Sequence, residues 1–99
     1  AKVVAVSWKG NAPQPQTVTI IRGDTVRWTN NDKDAYHGVV ETTGKSTCIE
    51  KSGGFRSGKI EPGQSWQRTF VEATTINYMD GVAGQCQRGG KGIIVVQYN

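Results

Sequence analysis

Hydrophobic and polar residues take turns along most of this chain, in short segments closed by Gly, Pro, Asn or Asp. Thr25-Val26-Arg27-Trp28-Thr29 shows the pattern best. Val26 and Trp28 point one way and Thr25, Arg27 and Thr29 the other, as in a strand with one buried face. Residues 2–7, 17–21, 38–41, 65–70, 74–78 and 93–97 read as further strands, with Trp66 and Phe70 sharing a face beside Arg68. Turns are expected at Arg22-Gly23-Asp24, at 30–34 and at Glu61-Pro62-Gly63-Gln64, and residues 11–16, with two of the three prolines, read as a loop. Residues 42–59 are the least regular stretch, a long loop in which any helix is expected to fall. No segment keeps a 3.6-residue period over three turns. About seven or eight short strands in 99 residues predict one all-β domain over residues 1–99, an antiparallel sandwich of Greek-key type.

Composition narrows the chemistry. Twelve Lys and Arg against eight Asp and Glu give a net charge of +4. The cations are scattered, with no basic run or RNA-binding aromatic motif, so nucleic acid is not expected as a partner. No apolar run reaches the ~18–20 residues of a membrane span. The abrupt strand-like opening at residues 2–7 is read as that of a processed chain, with an anchor beyond this stretch left open. Catalysis finds no support. There is no nucleophile elbow, no paired acid and base and no phosphate loop, so an enzyme is not expected.

The two cysteines, Cys48 and Cys86, allow two readings. They are either a disulfide in an oxidising compartment or two buried thiols in a reducing one. Both sit in Gly-, Ser- and Lys-rich sequence rather than apolar runs, which favours the bridge. A link closing 86 − 48 = 38 residues contributes roughly 4 kcal/mol in the chain-entropy model. The bridged reading implies a secreted, cell-surface or periplasmic protein.

Three local patterns occur in order. The first is Val18-x-Ile20-x-x-Gly23-Asp24-Thr25-Val26-x-Trp28-x-Asn30, followed by His37-Gly38-Val39-Val40. The second is Ile60-Glu61-Pro62-Gly63-Gln64-Ser65 leading to Phe70. The third runs from Tyr78 through Asp80, Gln85, Cys86 and Gly90 to Val96. Together they resemble the cupredoxins, most closely the phytocyanins and their plantacyanin-like members. The resemblance implies a cupredoxin-like Greek-key β-sandwich. It puts His37 at the first copper-ligand place, and Asp80, Gln85 and Gly90 at the thiolate, second-imidazole and axial places. It also makes Cys48, in Ser46-Thr47-Cys48, the disulfide partner of Cys86.

A blue-copper site needs two neutral imidazoles, a thiolate and a weak axial group. This chain has one histidine, so no registration supplies a two-histidine site. His37, Asp80 and Gln85 are therefore expected to form a vestigial or weak metal site only, and with one imidazole and no second the reading of His37 as an imidazole bonded within its loop is favoured over a retained ligand. Asp80 is expected either to pair with His37 or to cap a turn through Gly81, while the neutral amide of Gln85 is a poor Cu(II) ligand that is able to hydrogen-bond His37 or Asp80. Met79 offers a thioether that Cu(I) accepts, but on a strand it reads as packing. The expectation is a copper-free, ligand-depleted cupredoxin-fold protein outside the cytoplasm. It would act as a binding or structural subunit with a protein or glycan partner and no cofactor. The alternative is a copper-binding or electron-transfer cupredoxin with a non-standard site around His37.

Overall fold

The computed structural model describes residues 1–99. Eight strands make two four-stranded sheets. One sheet runs β2-β1-β4-β6, from β1 (Val3–Lys9), β2 (Ala12–Gln14), β4 (Thr25–Asn30) and β6 (Ser65–Thr69). The other runs β3-β8-β7-β5, from β3 (Thr17–Ile21), β5 (Val40–Glu41), β7 (Thr75–Met79) and β8 (Lys91–Gln97). The expected two-sheet sandwich is present.

Three details differ from the sequence reading. Residues 11–16 are not all loop, because Ala12–Gln14 pairs antiparallel with β1. Its Pro13 is tolerated because β2 is an edge strand, where a missing N–H breaks no inner ladder. The sheets are also not wholly antiparallel, since β1 pairs parallel with β4 and β3 parallel with β8. Only Pro15 and Gln16 separate β2 from β3, so the chain changes sheets there without reversing. The turn after β3 then returns β4 in the direction of β1. Finally, the one helical turn is not in 42–59 but at Cys86–Arg88. Gly89, at φ 103°, closes it in the left-handed conformation that glycine adopts without steric cost. Residues 42–59 form the irregular loop expected, with turns at 43–46 and 52–53, tied down by the isolated bridges Val40↔Arg56 and Thr42↔Glu50.

The alternation found in the sequence builds the core. Val6, Trp8, Val26 and Trp28 from one sheet meet Val18, Ile20, Tyr78, Ile94 and Val96 from the other, with Val39, Ile60 and Phe70 beside them. Burying each large side chain is worth about 1.5–3 kcal/mol. Tyr78 stands edge-on to both Trp8 and Trp28, at centroid distances of 6.3 and 5.3 Å. Its ring crosses Gly92, its partner on β8. A Cβ at Gly92 would lie 2.2 Å from Tyr78 Cζ, so this position has no room for a side chain. The aromatic cluster ends at Trp8, which carries the candidate site.

Candidate functional site

Asn30, the last residue of β4, is fully buried and organises the loop that follows. Its amide donates to the carbonyls of Ala35 at 2.8 Å and Ile60 at 2.9 Å, and its Oδ1 accepts the Asp32 N–H at 3.0 Å. The loop is thereby folded back so that Asp32 and His37 face one another. The main chain of His37 pairs with Ile60 in both directions. Its ring lies flat on Trp8, with centroids 5.0 Å apart and planes 7° apart.

Only 1% of His37 is exposed, and both of its ring nitrogens meet a carboxylate. Nδ1 lies 2.5 Å from Asp80 Oδ2, and Nε2 lies 2.5 Å from Asp32 Oδ2. Asp80 follows β7 directly, and its N–H donates to the Gly90 carbonyl at 2.7 Å. Its Oδ1 accepts the N–H groups of Gly38 and Val82, each at 3.0 Å. Asp80 therefore does both things expected of it: it pairs with His37 and caps the turn through Gly81. Asp32 also accepts the Gly10 N–H, at 3.1 and 3.2 Å to its two oxygens.

Each ring nitrogen of His37 has its own carboxylate neighbour, an arrangement in which an imidazolium donates on both sides and a neutral imidazole on one side only. For Asp32, burial pushes the carboxyl upward. The hydrogen bonds from His37 and Gly10, with the charges of His37 and Lys9, outweigh it and hold the group below the usual 3.8. Elsewhere, Asp24 is held low by the N–H groups of Lys2 at 2.8 Å and Ile21 at 3.2 Å.

Depressed carboxyls stabilise the fold above their unfolded value and lose that contribution as pH falls through the folded one. The contribution of these two carboxyls to stability is expected to be fully present above about pH 5 and to be lost as the pH drops through and below 3.8. Denaturant titrations from neutrality to about pH 2.5 check this. Asp24→Asn and Asp32→Asn should each shallow the fall, and a loss already complete at about pH 5 would contradict it.

The donor set does not fit copper. Two metal bonds of about 2.0–2.1 Å at a tetrahedral angle hold their ligand atoms roughly 3.3 Å apart. His37 Nδ1 and Asp80 Oδ2 are 2.5 Å apart, the span of a shared proton. The two carboxylates sit at opposite edges of the ring, and no set of three His, Cys, Asp or Glu converges on one point. Cys48 and Cys86 are bonded to each other, with Cα atoms 5.9 Å apart, so neither is a free thiolate.

The remaining residues read from the sequence fall around this bridge. The Gln85 side chain forms no bond to His37 or Asp80. Its carbonyl instead takes the N–H groups of Arg88 and Gly90, because Gln85 starts the 3₁₀ turn. With His37 and Asp32 it lines an open cleft of about 460 Å³. Gly90 leaves no space for an axial side chain, since a Cβ there would be 2.7 Å from the Gln85 carbonyl oxygen and 3.1 Å from Asp80 Cβ. Met79, one residue past Tyr78, points to the opposite face of β7 by strand alternation, away from the bridge.

Asp32 and Trp8 are the site residues that the sequence did not single out. For Asp32 the available signal was an acidic residue in a polar turn five places before the only histidine.

Solved structures of amicyanin variants match the fold of this chain. A reduced Cu(I) form at pH 4 is 21% identical with a TM-score of 0.72, over 96% of this chain and 82% of that one. An oxidised variant is 20% identical at 0.72, and a second Cu(I) form 22% identical at 0.71, both over the same shares. The fold is that of the cupredoxins. No protein-family model matches the sequence, and neither does any curated protein.

Proposed function

We propose that this chain is a copper-free cupredoxin-fold protein in which the Asp32–His37–Asp80 bridge stands in the metal's place. In this reading it serves outside the cytoplasm, as a binding or structural subunit rather than an enzyme. The observation that carries the proposal is the 2.5 Å contact between His37 Nδ1 and Asp80 Oδ2. Asp32 on Nε2 resembles the outer carboxylate that orients a metal-bound histidine, so the support for a ligand persists while the metal's position is filled by Asp80. The spacing of Asp80, Gln85, Cys86 and Gly90 and the Cys48–Cys86 bridge support a phytocyanin-like ancestry. The end of the sandwich around His37 is the proposed contact face for a protein or glycan. Tyr36, 44% exposed, stands there with the Lys59 ammonium 4.4 Å from its ring centroid, an amphipathic pair suited to a polar partner surface.

Copper titration of the disulfide-intact protein tests this reading. We expect no stoichiometric heat with Cu(II) or Cu(I) and no intense visible band. Asp80→Cys with Gln85→His, keeping Gly90, is expected to give one coloured copper site. Adding Gly90→Met is expected to destabilise the loop, because its Cβ meets the Gln85 carbonyl. Tight one-to-one copper binding by the natural chain, abolished by His37→Gln, would overturn the proposal in favour of a non-standard copper site.

A further inference from the structure

A second site lies on the outer face of the β3-β8-β7-β5 sheet. Val18, Tyr78 and Ile94 face the core, so their strand neighbours Thr17, Asn77 and Ile93 face outward. The register sets these three side by side, Thr17 opposite Ile93 and Ile93 opposite Asn77. The segment carrying Lys45 and Ser46 rises over this row and is tied down by the Cys48–Cys86 bridge. Lys91 closes the other side. The result is a groove of about 310 Å³ with no carboxylate in its lining, within the range of small-ligand sites.

Its polar groups divide into two sets. The hydroxyls of Thr42 and Thr47 both donate to the Gly44 carbonyl, the Gln16 amide donates to the Lys91 carbonyl, and these groups build the wall. The hydroxyls of Thr17 and Ser46, the amide of Asn77 and the ammonium groups of Lys45 and Lys91 make no hydrogen bond or ion pair within the protein, whose cationic ion pairs outside His37 are only those of Lys51 and Arg56. Ser46 is also the one non-glycine residue with positive φ, at 64°, a conformation that costs energy and projects it on the rim.

From this arrangement we infer that the groove binds an anionic sugar unit, with the lysines on its acidic group and Thr17, Ser46 and Asn77 on its ring hydroxyls. An amide and two hydroxyls each donate and accept, which matches neighbouring sugar hydroxyls. Two unpaired ammonium groups without a competing carboxylate select a negative charge. Ile93 gives a small apolar floor for the C–H face of the ring. A nucleotide base would find no exposed aromatic face here, because Tyr78, the one aromatic in the lining, is buried in the core, and an inorganic anion would leave the amide and hydroxyls unused. This inference goes beyond the proposed function, and the groove contains none of His37, Asp32 or Asp80, so its test and the copper titration succeed or fail separately.

The experiment follows backbone amide shifts of the intact, isotope-labelled protein during titration with trigalacturonic acid, with a sulfated chondroitin disaccharide, and with neutral galactotriose. Saturating shifts centred on Thr17, Ser46, Asn77 and Lys91 are expected with at least one acidic sugar, and the tighter of the two identifies carboxylate or sulfate as the source. Lys45→Gln with Lys91→Gln, and separately Asn77→Ala, should each weaken binding about tenfold or more. The charge-matched control Arg22→Gln with Arg27→Gln, away from the groove, should leave it unchanged. The inference is overturned if the neutral sugar binds equally well, if shifts do not saturate or centre elsewhere, if the control weakens binding as much as the groove variants, or if inorganic sulfate alone reproduces the response.

Discussion

Asp80→Ala is expected to destabilise the fold by about 3–5 kcal/mol, the range for breaking a buried charge pair from one side. The substitution removes three contacts at once. The His37 ring loses its Nδ1 acceptor, and the N–H groups of Gly38 and Val82 lose theirs. His37 cannot turn to water, because it is 1% exposed and pressed flat on Trp8. Asp80→Asn should cost less, about 1–3 kcal/mol, since its amide oxygen still accepts the two backbone N–H groups. Asp32→Ala should also cost less, because 19% of that side chain reaches solvent and water can replace it. Denaturant unfolding at neutral pH ranks the three. An Asp80→Ala protein within about 1 kcal/mol of the natural one would mean that the bridge does not hold this end of the sandwich together.

Gly92→Ala should rank second, at about 3 kcal/mol, the upper range for forcing extra volume into a packed core. The new methyl would lie 2.2 Å from Tyr78 Cζ, 2.3 Å from its hydroxyl oxygen and 2.5 Å from Cε2. The ring has nowhere to retreat, since Trp8 and Trp28 hold its edges. Gly44→Ala serves as the control: its Cβ would find only Thr47 Cγ2, at 4.0 Å, and the change should stay within about 0.5 kcal/mol. Because the conflict is between two residues, Gly92→Ala combined with Tyr78→Leu should cost less than the sum of the single changes. Strict additivity in that cycle would remove the explanation for Gly92.

Residues whose pattern is local were the most legible. Thr17–Ile21 and Thr25–Asn30 form strands as their alternation requires, with Val26 and Trp28 completely buried. The sandwich followed from such segments and from the turns between them. β2 was hidden because Pro13 is compatible with a strand only at an edge, and edges are a property of the assembled sheet. The parallel pairing of β1 with β4 was hidden for the same reason, because it depends on the chain switching sheets at Pro15 and Gln16.

The site was half legible. A single histidine is a matter of counting, and the late-loop spacing pointed to Asp80. Gly90 and Asp32 were not readable in this way. What matters at Gly90 is the backbone oxygen of Gln85, which no residue type announces. Asp32 reaches His37 only because buried Asn30 folds the intervening turn back on itself.

The central claim is that His37 is a buried imidazolium holding two carboxylates where the cupredoxin fold elsewhere carries copper. With one histidine in the chain, a proton–nitrogen correlation spectrum of its ring at neutral pH reads the claim without ambiguity of assignment. The account predicts that both ring nitrogens are protonated, with both N–H protons visible and slow to exchange with water. A ring nitrogen without a proton, or a spectrum that changes on adding one equivalent of copper, would contradict it.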